Sequence, residues 1–507
     1  MKFNIFKKRK AITLNYEGAR AYKITPAFEL YSAAVTSGLN PTSYEDGDAR
    51  LERIKTLIAK CDPIFVAKLA IYVRTKMHLR TMPIVLIVEL AKNHSGDHLI
   101  SKATYKIIQR ADEITELLAY FQKSNGRWKT KKLNRLSKQL QKGIAMAFNK
   151  FDEYQFAKYN RKTVVSLKDA LFLSHPSPKN ENQQLLFNKL INGTLETPYT
   201  WETELSALGQ EKFKTAVHKE KAFTKKWEAL IDSGKLGYMA LLRNLRNISE
   251  ANVSGKHMEK VCATISDKTR VSKSKQLPFR FLSAYRELKG LEGGFTSSIL
   301  EALEKAVLFS SENIKGFGFE TSVVIACDVS GSMQKSISPR SKVLLYDIGL
   351  ILGMLMQSRC QNVISGMFGD SWKVINMPKH SILSNVDEYY RREGEVGYST
   401  NGYKVIKNLI TQRKVMDKIM IFTDTQMWNS AGGHAQFDST WKQYKATIAP
   451  TAKLYLFDLA GYGNMPIDIK QNDVYLIAGW SDKIFDILYA LQKGSDAVKV
   501  IKAMKLD

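Results

Sequence analysis

From about residue 26 to residue 310, apolar residues recur every three or four positions in stretches broken by short polar turns. The runs 62–74, 82–92, 99–120, 132–148, 237–247 and 278–288 carry the spacing of amphipathic helices. Alternating strand patterns are nearly absent from this part. Many helices of ~10–20 residues, without heptads and without one fixed period, predict an irregular α-solenoid rather than a coiled coil. Residues 179–184, rich in Asn and Gln, and the polar run 267–276 read as surface loops.

Near Thr321 the pattern changes. Residues 323–327 form a short, wholly apolar run of the kind a buried parallel strand shows. Further strands are predicted at 362–368, 372–377, 418–423, 454–459 and 474–479, and helices at 341–358, 402–412, 440–448 and 482–492. Strands alternating with helices imply a doubly wound, mostly parallel sheet. The predicted division is therefore an all-α solenoid over 1–318 and an α/β domain over 319–507.

Charge sharpens this division. The 507 residues include 76 Lys and Arg against 49 Asp and Glu, a net of +27. The first 320 residues carry 54 basic and 32 acidic side chains, so +22 of that charge sits in the helical part. Such an imbalance in one segment favours a polyanionic partner, nucleic acid above all. No apolar run of ~18 residues appears, so no spanning helix is expected. The basic start of the chain lacks the apolar core of a secretory signal. Cys61, Cys262, Cys327 and Cys360 lie far apart, without zinc spacing, and read as reduced thiols of a cytoplasmic protein.

Candidate chemistry concentrates at two places. Asp328, Ser330 and Ser332, in D-x-S-x-S spacing, directly follow the first apolar strand and precede a helix. Open α/β sheets put their sites at that edge. One carboxylate and two hydroxyls in a tight loop, with Gly331 relieving the turn, are hard oxygen donors suited to Mg²⁺, with Mn²⁺ the second candidate. Asp424 ends another apolar strand, and the loop 397–402 offers Thr400 just before a helix. The three loops resemble the metal-ion-dependent adhesion site of von Willebrand factor A domains. That resemblance implies a cation held by Asp328, Ser330, Ser332, Thr400 and Asp424. No aspartyl-nucleophile pair, serine-hydrolase elbow or P-loop surrounds these residues, so no catalytic residue and no enzyme activity is expected.

The second place is a basic stretch. Residues 117–151 contain no acidic side chain, and Lys129 lies among their nine basic ones. On a helix begun near Lys131, residues Lys131, Arg135, Lys138 and Lys142 fall at i, i+4, i+7 and i+11, opposite Leu133, Leu136, Leu140 and Ile144. Phosphate contact explains so long an unneutralised stripe, with Trp128 and Tyr120 offering stacking surface.

Just downstream, residues 157–178 resemble the K-Y-x-x-R-x-x-W-S-H-K-D-L-L-R-L-S-H-P-x-P signature of the TROVE module in the Ro 60 kDa ribonucleoprotein family. The resemblance rests on Lys158, Tyr159, Ser166, Lys168, Asp169, Leu171, Leu173, Ser174, His175, Pro176 and Pro178. The blocks 239–247, 277–284 and 478–485 match as well, and the order of helical module then A domain is the family's. The signature's first arginine falls on Lys162, one place after Arg161, and Val165, Leu167 and Phe172 stand where it has Trp, His and Arg.

The resemblance implies a monomeric ring of HEAT-like helical repeats closed by the A domain. It further implies a basic hole for single-stranded 3′ ends of structured or misfolded non-coding RNA, and RNA quality control as the role. A Y-type RNA on the outer face and an exoribonuclease are the further candidate partners. Lys158, Arg161 or Lys162, Lys168 and His175 are the implied RNA contacts. For His175, a helix-end histidine bonded within the fold is an equal alternative. A second functional reading keeps the solenoid as a frame and makes the A domain a metal-dependent protein-binding scaffold.

Overall fold

In the computed structural model the described residues are 12–36, 43–126, 136–161, 163–310, 317–338, 341–428, 436–469, 473–492 and 495–506. The chain divides into two compact units: Met1–Leu57 with Ser311–Val500, and Ile58–Ser310 with Ile501–Asp507.

The first unit is built on a sheet of six strands: β3 (Ser322–Asp328), β4 (Asn362–Phe368), β5 (Trp372–Val374), β6 (Lys418–Thr423), β7 (Lys453–Asp458) and β9 (Val474–Ala478). Their order is β5-β4-β3-β6-β7-β9, all parallel except the antiparallel edge strand β5. Apolar residues occupy both faces of the central strands because helices cover both. Ile325 and Cys327 meet the Leu345–Arg359 helix, whose Gly353 lets it approach closely: a Cβ there would lie 2.9 Å from the Cys327 sulfur. On the other face Val324, Ala326, Ile419, Ile421 and Leu454 pack with Ile406, Trp441 and Tyr444. The chain turns from one side of β3 to the other between β3 and β6. The carboxyl ends of these two strands therefore flank the switch-point crevice, the usual ligand position in such sheets.

The N-terminal residues belong to this unit, which corrects the predicted division at 318/319. β2 (Arg20–Lys23) pairs with β1 (Ile12–Leu14) on one side and with β8 (Asn464–Met465) on the other. Ile24 and Phe28 join the apolar core around β6 and β7. The Tyr31 hydroxyl donates to the Ala478 carbonyl at 3.0 Å, Ser32 donates to the buried Asp458 carboxylate, and Arg50 donates to the Ala460 carbonyl. Tyr31, Ser32 and Arg50 thus each find a partner more than 400 positions away, with no periodic apolar pattern to announce it.

The second unit, in its described residues, is all helical. Local chemistry sets its element ends. Asp62 caps the Pro63–Thr75 helix by accepting from the Ile64 and Phe65 amides, with Pro63 at the first turn. Ser166 and Asp169 form a reciprocal capping box at the start of Leu167–Ser174. Gly143, on Lys138–Phe148, permits contact with the Leu99–Ile107 helix, since a Cβ there would come within 2.5 Å of the Thr104 Cβ.

The predicted helix 99–120 is two, Leu99–Ile107 and Asp112–Ser124. Ile108 is extended, and Glu113 turns back to accept the Gln109 and Arg110 amides at 2.8 and 3.1 Å. Both predicted loops are largely helical. Asn180 caps Glu181–Asn192, whose buried Gln183 reaches the Phe148 and Phe151 carbonyls, each at 3.3 Å. Asp267 caps the short helix Lys268–Ser274, which buries Val271. No described helix is long and apolar enough to cross a membrane.

Candidate metal centre and nucleic-acid interface

Three loops meet at the carboxyl edge of the A-type sheet, and each is tied to the other two. The Thr423 hydroxyl donates to Asp328 Oδ2 at 2.6 Å, joining the first loop to the second. The Gly331 amide donates to the Tyr398 carbonyl at 2.9 Å, joining the first to the third. The Trp428 amide donates to the Thr400 carbonyl at 3.1 Å, closing the circuit. Gly331 itself has ordinary backbone angles, so its use is that amide rather than conformational freedom. It opens a short 3₁₀ turn, Gly331–Gln334, and the following helix starts only at Leu345.

All four of Asp328, Ser330, Thr400 and Asp424 are buried. Asp328 Oδ1 accepts the Ser330 amide at 2.9 Å, and the Ser330 and Ser332 hydroxyls lie 3.4 Å apart. Asp424 Oδ1 accepts the Gln426 amide at 3.0 Å and the Ser332 hydroxyl lies against the carboxyl, while Oδ2 is buried with no hydrogen-bond partner of its own. Burial holds both carboxyls well above the ordinary carboxylate range. For Asp424 the charge of Asp328 adds to this, and Asp458 is a further acid acting on it. Two buried acids side by side, one with an orphaned oxygen, are costly as they stand. A hard divalent cation fits: the donors are carboxylate and hydroxyl oxygens. Among the described residues no group of three or more His, Cys, Asp or Glu gathers at this edge or elsewhere, so hydroxyls would have to complete a ligand set here.

The sequence reading missed what covers this edge. The Ser43 hydroxyl donates to the Ser332 carbonyl at 2.8 Å, and the Tyr16 amide donates to Gln426 Oε1 at 2.9 Å. Tyr16 stacks on Tyr44 at 5.4 Å between centroids, and both meet the edge of Tyr462. Tyr44 donates to Glu17 beside Ser332. The aromatic spacing Tyr16, Tyr44, Tyr462 is too wide in sequence to signal a cluster.

The basic candidates fall on several helices of the other unit. Lys129, Lys131, Arg135 and Lys162 lie outside the described residues, as do Trp128 and Leu133. Lys138 and Lys142 stand exposed on Lys138–Phe148, which buries Leu140 and Ile144 on its opposite side, as the periodicity predicts. Gln141, between them, donates to the Leu173 carbonyl at 2.8 Å, which sets this helix beside the turn carrying His175. His175 ends the Leu167–Ser174 helix in the left-handed region, φ 46°, with its amide on Leu171 and its side chain exposed. Arg161 is exposed, and Lys158 lies over the rings of Tyr154 and Tyr159.

Two basic residues and one ring also make bonds within the fold. Lys168 donates to the Ile191 carbonyl at 2.7 Å, closing the end of a neighbouring helix. Lys150 donates to the Tyr105 and Ile108 carbonyls and sits on the Tyr105 ring, where burial lowers its pKa to about 8. Tyr120 gives its hydroxyl to Glu89 at 2.7 Å.

The Telomerase protein component 1 of Rattus norvegicus is 25% identical over 348 residues, covering 53% of this chain and 13% of that protein. The Mus musculus counterpart is 26% identical over 347 residues with the same coverage. The chain thus spans only a small part of the length of these relatives. A crystal structure of the Deinococcus radiodurans RO (RSR) protein matches the fold with a TM-score of 0.57 at 15% identity, over 91% of this chain and 99% of that one. The TROVE domain model matches residues 6–226 and 192–303. With more than half its length so matched, the chain belongs to the TROVE domain family.

Proposed function

We propose that this protein is an RNA-binding ribonucleoprotein component of Ro type. It takes the single-stranded 3′ ends of structured or misfolded RNA on its helical unit and acts in RNA quality control. The observation that carries the reading is coincidence: the TROVE match over 6–303 falls on the segment that holds +22 of the net charge of +27. Lys138, Lys142, Arg161 and His175 are exposed contacts for phosphate and base, while Lys158 offers its ammonium on an aromatic bed. A Y-type RNA and an exoribonuclease are the partners such a role calls for. The protein acts by binding, without chemistry of its own. The four free cysteines suit a reducing compartment such as the cytoplasm.

In the A-type domain, Asp328, Ser330, Ser332, Thr400 and Asp424 would hold Mg²⁺, or Mn²⁺ in its place. The orphaned Asp424 Oδ2 supports that assignment. A second reading, in which the bound ion captures a carboxylate of a protein partner, is less favoured because Ser43, Tyr44 and Glu17 already stand at this edge.

A gel-shift titration of a structured RNA with a single-stranded 3′ tail, at two salt concentrations, tests the proposal. Six phosphate contacts give a log–log slope of about −4 and a loss of roughly 10²–10³-fold between 50 and 200 mM salt. Absence of binding at low salt defeats the reading.

A further inference from the structure

A cavity of about 490 Å³ opens in the helical unit between the Tyr238–Glu250 and Pro278–Lys289 helices. Arg243 and Arg280 line it from the two facing helices, beside the buried Leu242 and Leu245. Asn247 and Ser283 add polar groups to its wall. A third arginine, Arg246, is neutralised there by Glu250 at 2.8 Å and Glu287 at 3.4 Å. Neither Arg243 nor Arg280 has a carboxylate partner among the described residues. Partial loss of solvent, then the like charge of Arg243, holds the Arg280 guanidinium below its ordinary value.

Arg243 and Arg280 are both exposed, and two like charges lining one cavity repel one another weakly across solvent. An anion between them reverses the sign. Guanidinium forks match the tetrahedral oxygens of a phosphate in a bidentate manner, which lysines in the same place would not. The exposed Met239 on the same wall offers apolar surface to a ribose or base, which a free inorganic anion would not use.

We infer that this cavity seats a phosphodiester group of single-stranded RNA, held between Arg243 and Arg280. The inference rests on the RNA-binding reading and adds to it a site on helices away from Lys138, Lys142 and His175.

The test is a titration of the full chain with a single-stranded RNA lacking a 5′ phosphate, repeated over a range of salt. In Arg243→Gln/Arg280→Gln the log–log salt slope should fall by about 0.7–1.4, one to two single-strand phosphate contacts. Arg243→Lys should keep the slope and lose affinity, since charge remains and the fork is gone. Without RNA, the double variant should melt no lower than the unaltered chain, because relief of the repulsion offsets the lost contact of Arg280 with the Phe279 ring. An unchanged slope in the double variant, with the unaltered chain binding RNA, overturns this site and leaves the proposed function standing. A lowered melting temperature assigns the pair to the fold and overturns it too. Failure of the unaltered chain to bind any RNA at low salt overturns both.

Discussion

Replacing Asp424 by Asn should abolish the response of the first unit to divalent cations without unfolding it. Asp424 Oδ1 accepts the Gln426 amide, and an Asn carbonyl keeps that bond. The Oδ2 it would replace by NH₂ has no partner to lose. What changes is charge: Asp328 and Asp424 are buried acids that raise one another's cost, and an uncompensated buried charge costs on the order of 3–5 kcal/mol. A cation present at about 100 times its Kd returns about 2.7 kcal/mol of stability. For a unit of roughly 250 residues that is a rise in Tm of about 5–10 °C. Scanning calorimetry of the full chain at neutral pH, in excess Mg²⁺ and in EDTA, reads the shift. Asp424→Asn should show less than about 2 °C between the two conditions, and in EDTA should melt no lower than the unaltered chain. Equal melting in Mg²⁺ and EDTA for the unaltered chain, or a full shift retained in Asp424→Asn, would refute the reasoning.

Other substitutions separate binding from structure. Lys142→Glu, on an exposed position, should leave Tm within about 1 °C and lower RNA affinity several-fold at low salt, read by gel shift. Lys168→Ala should do the reverse, costing about 0.5–1.5 kcal/mol in urea unfolding through the lost bond to Ile191 and changing affinity little. Ser32→Ala removes a donor from the buried Asp458 and should destabilise the first unit by about 1–3 kcal/mol, read by calorimetry. Lys150 has its pKa depressed to about 8, so the unfolded chain binds more protons between about 8 and 10.5, and stability should rise with pH across that window. Urea titrations should show a smaller rise in Lys150→Gln.

The strand cores were legible because burial on both faces forces an apolar run: 362–368 and 418–423 match β4 and β6 residue for residue. The cation loop was legible because its donors are local, one turn of chain holding Asp328, Ser330 and Ser332. Thr400 and Asp424 needed the family resemblance, since only the sheet order brings their loops together. The basic stripe was half legible. Spacing placed Lys138 and Lys142 outward, but no pattern could reveal that Lys150 and Lys168 also donate to backbone carbonyls. The adherence of residues 12–57 to the C-terminal unit was hidden, because it runs on pairs such as Ser32 with Asp458 and Tyr31 with Ala478, more than 400 positions apart. Polar loops were misread for a related reason. Asn180 and Asp267 are turn formers in isolation and helix caps in context.

The central claim is that the helical unit takes RNA by its single-stranded 3′ end. The most direct measurement is the affinity of the full chain, by fluorescence anisotropy at 100 mM salt, for one RNA hairpin with a 3′ tail and the same hairpin with a flush end. Tighter binding of the tailed RNA by about tenfold or more is the predicted result. Equal affinity for the two, or no binding of either, would contradict it.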